Sequence, residues 1–347
     1  MHRKQLTMQL LGSSGDALVM KASVIRAGFS TTVQDLGRAG FREFGVSLGG
    51  SLDRHALRVA NLLVGNSDSA AGLEITFGGL QLRFVDDRLV AWCGGEFDVR
   101  VGSTTLPPGH VALARAGEEL VFAKSKIGCR SWLAISGGID VPLVLGSRST
   151  DQRGDFGGFD GQALRDGAEL PLHKNPENAE ALVGKLREER IASWSPPHDW
   201  CSTAKCDPVL RFTRGADWHR FNASTHLTLT SEVFAVSPDS DRMGVRFDGP
   251  ELERLDESDL ISEAVVPGTV QVPPSGKPIL LLGDCQTIGG YPKIAHVITV
   301  DFPVAAQLRG GDRVRFHEIS LSESQALLID REEKLEHFRR GIQMRVS

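Results

Sequence analysis

The chain has 347 residues, 41% of them hydrophobic and 24% charged, with a formal net charge of −5. That length predicts about two domains, and the acidic balance excludes the broad positive field that non-specific binding to nucleic acid or an anionic membrane requires. Glycine is abundant, 38 residues, which favours tight turns and short strands over long helices, and no apolar run approaches the ~20 residues that span a bilayer.

Residues 1–20 read as an N-terminal extension. Arg3 and Lys4 precede an apolar stretch broken by Gln9 and Gly12, which is not the pattern of a signal peptide, and Gly12-Ser13-Ser14-Gly15 has linker composition. Folded sequence begins near Met20, with Val24-Ile25 in a first strand. Leu80-Gln81-Leu82-Arg83-Phe84, Phe97-Asp98-Val99-Arg100-Val101 and Val111-Ala112-Leu113 alternate with period two, and Pro107-Pro108-Gly109 and Ala116-Gly117 supply turns between such runs. Short strands at this spacing predict barrels or sandwiches.

One helix interrupts them. Leu52, Ala56, Val59, Ala60 and Leu63 share a helical face. Ser51 is the expected N-cap, Asp53 sits in the first turn where the helix dipole favours an anion, and Gly65 follows the end. Asn175 to Arg190 is charged and helical in pattern, and Ser193 to Asp207, with Trp194, Pro196, Pro197 and Trp200, reads as the connection between a first domain over 21–195 and a second over 196–347. A last helix is predicted over 322–341, carrying Ala326, Leu327, Ile329, Leu335 and Phe338 across the outside of the fold or against a partner.

The two halves also share phrases. Ser51-Leu52-Asp53-Arg54 is followed by Glu74 and Gly79, and Ser240-Asp241-Arg242 by Glu263 and Gly268; Ala163-Leu164-Arg165-Asp166-Gly167 echoes Gln307-Leu308-Arg309-Gly310-Gly311. The spacing is too long for a solenoid and suggests a duplicated domain. The five cysteines, Cys93, Cys129, Cys201, Cys206 and Cys285, contain no Cys-x-x-Cys pair, which argues against a disulfide framework or zinc ribbon and fits a reducing cytoplasm. His198, Cys201 and Cys206 lack the spacing of a common metal site, so no metal is expected. Cys93 and Cys129 read as buried thiols, and His55 and His296 as structural.

The densest chemistry lies in Gly283-Asp284-Cys285-Gln286-Thr287-Ile288-Gly289-Gly290-Tyr291-Pro292-Lys293, after the apolar run Pro278 to Leu282. A carboxylate, an amide, a hydroxyl, a phenol, an amine and two glycines can wrap a small polar ligand. Tyr291 is the only tyrosine. Asp241-Arg242 offers a guanidinium that could hold a carboxylate or phosphate, or an acid–base pair that pins its own loop. Gln34-Asp35-Leu36-Gly37-Arg38 reads as an Asx-type turn, and Gly146 to Gly161 as a mobile or solvated Gly-rich loop. There is no P-loop, no Gly-x-Gly-x-x-Gly opening a helix and no Gly-x-Ser-x-Gly elbow.

Five ordered phrases then carry a resemblance. Thr31-Thr32-Val33-Gln34-Asp35-Leu36-Gly37-Arg38, Asp53-Arg54 through Asn61 to Gly65-Asn66, Leu73-Glu74-Ile75-Thr76, Ser240 to Gly244, and Gln286-Thr287 through Gly289-Gly290-Tyr291-Pro292 to Ala295 together resemble the KipA family. That family is also called the 5-oxoprolinase C subunit family, or allophanate hydrolase subunit 2-like, and is grouped as a biotin-dependent carboxyltransferase family. The resemblance covers about residues 21–340. It implies a mainly β fold of two tandem cyclophilin-like β-barrel domains with a few short helices and a C-terminal helix.

It also implies two partners, a KipI-like B subunit and a LamB/YcsF-like A subunit, with which the chain opens 5-oxoproline to glutamate at the expense of ATP. The ATP is expected as its magnesium complex, at a site shared with the KipI-like partner. On this resemblance Asp284, Arg242 and Lys293 are the expected catalytic residues. Gln286, Thr287, Gly289, Gly290, Tyr291, Asp241, Asp53 and Arg54 are the expected substrate-binding residues. Ile288 stands where the family usually has a second threonine. No Met-Lys-Met biotin-attachment site and no amidase signature occur in the sequence. Two alternatives accompany this reading: a carboxyltransferase component acting on urea or a related amide, and a non-catalytic regulator that sequesters a KipI-like kinase inhibitor.

Overall fold

A computed structural model describes residues 20–255 and 260–346, so most of the expected extension lies outside the described residues. The fold is mainly β, as expected, in two units with a C-terminal helix. In the first unit nine strands form one sheet organised by the long strand Glu119–Ile135. One edge of that strand pairs with Gly72–Thr76 through Leu73 opposite Leu133, and with Leu80–Phe84 through Gln81 opposite Val121. Its other edge pairs with Arg88–Val101, where the register shifts between Gly94 and Val99 and bends the sheet.

The strand Arg88–Val101 shows why the sequence divides there. Its second half alternates, with Phe97, Val99 and Val101 buried and Glu96, Asp98 and Arg100 exposed. Its first half is apolar from Leu89 to Cys93 because both faces are covered. Val90 and Trp92 join the core of the sheet, while Leu89, Ala91 and Cys93 pack with Leu57 and Val59 of the helix Arg54–Leu63.

The gap between the edge strands is filled by chain without regular pairing. Thr150 N–H donates to the Val33 carbonyl, Leu164 N–H to Thr31 and Gly167 N–H to Val24. The Gly-rich segment is therefore built into the wall and is not a free loop: Ser147, Ser149 and Thr150 are buried, and Asp35 accepts from the Ser147 and Ser149 hydroxyls at 2.6 and 2.5 Å. Asp35 also accepts the Gly37 N–H at 2.8 Å, the expected Asx turn.

The second unit is a closed seven-stranded barrel. Val209–Arg214, Lys293–Val297, Thr269–Gln271, Ile279–Leu281, Gly244–Asp248, Phe234–Val236 and Arg313–Glu318 follow one another around it. The first and last of these pair in parallel and close the ring. Phe316 fills the interior, edge-on to Phe247 at 5.4 Å, Phe234 at 5.7 Å and Phe212 at 6.4 Å. One apolar cluster runs from the helix Arg54–Leu63 into this barrel and up to Leu335. None of the described helices is long and apolar enough to cross a membrane.

Two helix starts differ from expectation. Asp53 caps the helix Arg54–Leu63, its carboxylate accepting the Ala56 N–H at 2.8 Å. Ser51 cannot, because Gly49 and Gly50, both at positive φ, turn the chain so that its hydroxyl donates to the Asp53 carbonyl. The C-terminal helix spans Leu321–Val346 and begins at a capping box: Ser320 accepts the Glu323 N–H at 3.2 Å, and Glu323 accepts the Ser320 N–H at 2.8 Å. The helix lies across the helix Arg54–Leu63, held by Arg58 to Glu332 at 2.8 Å and by Arg339 to Asp68 at 2.7 Å.

Phe316→Ala leaves a hole between three aromatic rings. It should lower unfolding free energy by about 3–5 kcal/mol in a urea titration; a loss well under 1 kcal/mol would contradict the packing described.

Candidate active site at the junction of the two units

Glu74 stands in the strand Gly72–Thr76 with 1% of its surface exposed. A carboxylate there needs partners from every side. One oxygen accepts from the Leu52 N–H at 3.2 Å and from Trp132 Nε1 at 3.0 Å. The other meets Arg242 of the second unit, with Arg130 Nε at 3.7 Å. Burial works to raise the Glu74 pKa, but Arg242 and then Arg130 outweigh it and hold the group below its ordinary value.

Arg242 joins the two units. Its Nε donates to Asp284 Oδ2 at 2.8 Å, and its Nη2 donates to Asp284 Oδ1 at 3.2 Å and to the Gly50 carbonyl at 2.7 Å, while Nη1 meets Glu74. Burial disfavours its charge, yet Asp284 and Glu74 raise its pKa above the ordinary value. Arg242 and Asp284 are therefore brought together, and the arginine is nearly saturated with acceptors. Asp241 is not its partner. That side chain is exposed and accepts the Met243 and Gly244 N–H groups at 2.8 and 3.2 Å, closing its own turn.

Arg38 is a second buried guanidinium beside this cluster, fully enclosed, stacked 4.7 Å from the centre of the Phe156 ring and bonded to the Ser149 carbonyl. Its Nε and Nη1 have no hydrogen-bond partner among the described residues. Burial lowers its pKa, opposed by Asp151, Asp35 and Asp284. A Cβ placed on Gly49 would lie 3.4 Å from Arg38 Nη1 and 3.9 Å from Asp284 Oδ1. Bare Gly49 thus stands between a spare donor and a carboxylate acceptor.

The rest of the polar loop turns away. Ile288–Gly289 pairs with Glu263–Ala264 as a separate two-stranded antiparallel sheet, leaving Ile288 and Tyr291 exposed. Lys293 starts the strand Lys293–Val297 and is held by Glu263 at 2.7 Å and Asp217 at 3.4 Å. Burial works against its charge, but these two carboxylates raise its pKa. Gln271, which sequence reading missed, accepts from Gln286 at 3.4 Å and donates to the Tyr291 carbonyl at 3.2 Å, while Gly289 lies against its amide. Thr287 passes its carbonyl to the Val265 N–H, and Gly290 lies beside Ser262. Asp53 is spent on its helix cap and on Thr203, and Arg54 opens onto a separate cavity beneath the C-terminal helix. Glu74 and Arg38 were also missed as site residues. The signal for Glu74 was an acid flanked by Leu73 and Ile75 in a strand buried on both faces.

The junction of the two β units thus encloses paired carboxylates and guanidiniums. Residues 44–318 match the family model described as carboxyltransferase domain, subdomain A and B, and the chain belongs to this family. Within it, the chain is 38% identical to the C subunit of 5-oxoprolinase from Escherichia coli K12 over 301 residues, covering 87% of this chain and 92% of that protein. It is 28% identical to the urea amidolyase of Saccharomyces cerevisiae, covering 86% of this chain and 17% of that protein. Among solved structures, the urea carboxylase of Kluyveromyces lactis superposes with a TM-score of 0.84 at 26% identity, over 95% of this chain and 30% of that one.

Glu74→Gln leaves Arg242 and Arg130 facing a neutral amide in a buried site. It should cost about 3–5 kcal/mol of stability in a denaturant titration at neutral pH, and a neutral effect would remove Glu74 from its linking role. Asp53 gives a pH test of opposite sign. Burial raises its pKa to about 6, so the stability it contributes is complete below its unfolded pKa and is lost as pH rises through 6. Asp53→Asn keeps a capping oxygen and should flatten the stability profile between about pH 4 and 6, a difference on the order of 3 kcal/mol in unfolding experiments across that range.

Proposed function

We propose that the chain is the C subunit of an ATP-dependent 5-oxoprolinase. It would act with a KipI-like B subunit and a LamB/YcsF-like A subunit to turn 5-oxoproline, ATP and water into glutamate, ADP and phosphate. The observation that carries this reading is the bare face of Gly49 between Asp284 Oδ1 and the unpartnered Arg38 Nη1. A lactam carries one N–H donor beside one carbonyl acceptor, and that face offers one acceptor beside one donor. Coverage supports the same reading: the chain matches 92% of the length of its E. coli 5-oxoprolinase relative but 17% of the yeast urea amidolyase.

An amide is a poor electrophile, and transfer of the ATP γ-phosphoryl group to the lactam oxygen would make it one. Water then adds to the activated carbon, the C–N bond breaks with a proton passing to the nitrogen, and a second water releases phosphate from the resulting acyl phosphate. Negative charge gathers on the carbon- and phosphorus-bound oxygens, where fixed donors act most strongly. Arg38 supplies them in this reading. Asp284 orients the lactam N–H, and Arg242 holds Asp284 in place. Lys293, kept protonated by its carboxylate partners, and Gln286, Thr287, Gly289, Gly290 and Tyr291 turn away from this face and take no part in the step. Magnesium-ATP enters at a site shared with the KipI-like partner.

The test is reconstitution of the three-component complex with 5-oxoproline. ADP and glutamate should form in equal amounts and vanish when this chain is omitted. Asp284→Asn and Arg38→Gln should each cut turnover by about a hundredfold, while near-normal turnover in both would overturn the assignment. The likeness to urea carboxylase supports a second reading, carboxyl transfer to urea or a related small amide. Under that reading the same mixture would yield no glutamate, and a carboxylated biotinyl carrier would be consumed when urea is added.

A further inference from the structure

Beneath the C-terminal helix lies a cavity of about 440 Å³, within the size range of small-molecule sites. The first unit contributes Leu52, Arg54 and His55 to its wall, the second contributes Phe302, and the helix Leu321–Val346 contributes Arg331 from above. Gly49 and Ser51 separate it from the Arg242 cluster: they line this cavity, while the Gly50 carbonyl between them faces Arg242.

The charges of the cavity do not balance among themselves. Arg58 is committed to Asp68 at 3.1 Å and Glu332 at 2.8 Å. Arg54 has no hydrogen-bond or ion-pair partner among the described residues. Among the described residues Arg331 makes one hydrogen bond, 3.5 Å to the Thr299 carbonyl, its Nε is buried without an acceptor, and Asp53, Glu332 and Asp301 act on it only through space. His55 is 7% exposed and its Nδ1 is also unpartnered. Burial, then Arg331 and Arg58, lower the His55 pKa to about 3, so the imidazole is neutral and can accept as well as donate. The buried, unpaired Nε of Arg331 is costly, and with exposed Arg54 beside it two cations open on one space and call for an anion.

We propose that this cavity binds an organic anion whose carboxylate or phosphate group is held by Arg54 and Arg331 and whose apolar body lies against Leu52 and Phe302. The cavity shares Gly49 with the Asp284–Arg38 face but presents different charged side chains, and the proposal does not rest on the oxoprolinase reading. The guanidinium fork suits either anion, so the ligand series separates the two.

Isothermal titration calorimetry on the full chain would use 5-oxoproline and glutamate as carboxylates, and ADP and inorganic phosphate as phosphates. At least one should bind at millimolar concentration or below. Its affinity should fall about tenfold or more in both Arg54→Gln and Arg331→Gln, and should not change in Arg165→Gln, a surface charge control outside the cavity. Arg54 is exposed, so its variant tests binding with the fold intact. A response confined to 5-oxoproline and glutamate assigns a carboxylate ligand, and one confined to ADP and phosphate assigns a phosphate ligand. Binding of no probe, or binding that survives both substitutions, overturns the proposal; the second result would locate the ligand at the other site.

Discussion

A buried carboxylate in the middle of a strand sets the arrangement of this molecule. Glu74 lies inside the first unit, where water cannot solvate it, and its own unit supplies two N–H donors and a distant Arg130. The remaining demand is met only by a guanidinium from the second unit. Arg242 meets it, and because that guanidinium is planar and forked, its other edges then fix Asp284 and the Gly50 carbonyl. The position of one unit against the other and the position of Asp284 beside Gly49 thus follow from one charge. Smaller ties reinforce it: Gly49 N–H donates to the Gly283 carbonyl at 3.0 Å, and Arg42 reaches the Val265 carbonyl.

The strands were legible in the sequence where one face meets water, as in Leu80–Phe84 and residues 97–101, because alternation is then written directly into residue type. The helix caps were less legible, because a cap depends on the path of the chain before it, and at Ser51 two glycines in the left-handed region decide that path. The repeated phrases proved to occupy unlike surroundings: Glu74 is enclosed and Glu263 is exposed. For the site, the loop 283–293 was visible as a concentration of chemistry, but its residues divide between two places. Asp284 lies at the end of a barrel strand facing the first unit, whereas Lys293 is drawn toward Asp217 and Glu263 by the pairing of its own strand with Thr269–Gln271. Neighbours in sequence on a loop point where the flanking strands aim them, and pairing partners far away in the chain determine that.

The arginines make the difference between structure and chemistry explicit. Arg242 has nearly every N–H engaged, so it holds other groups in place. Among the described residues Arg38, though enclosed, has two nitrogens without a hydrogen-bond partner, and Arg331 has one. Spare hydrogen-bonding capacity in a buried cation is energetically unfavourable unless something arrives to use it. Arg42, Arg130 and Arg339, which tie the structure together, also carry a buried nitrogen without a hydrogen-bond acceptor, so a spare donor points to a ligand only where other geometry joins it.

The closure of the second barrel has a consequence for how the molecule comes into being. Its ring is completed by parallel pairing between Val209–Arg214 and Arg313–Glu318, the first and last strands of that unit, and the cavity beside it is roofed by the helix that follows. Such long-range pairing forms slowly and only when both ends are present. During synthesis the first unit can fold while the second is still emerging, with Glu74 waiting for Arg242. A chain that stalls or is cut before residue 313 would hold most of the residues of the junction but neither a closed barrel nor a covered cavity. Ligand binding in that cavity would then report that translation had run through the helix, and not merely that the β units had formed.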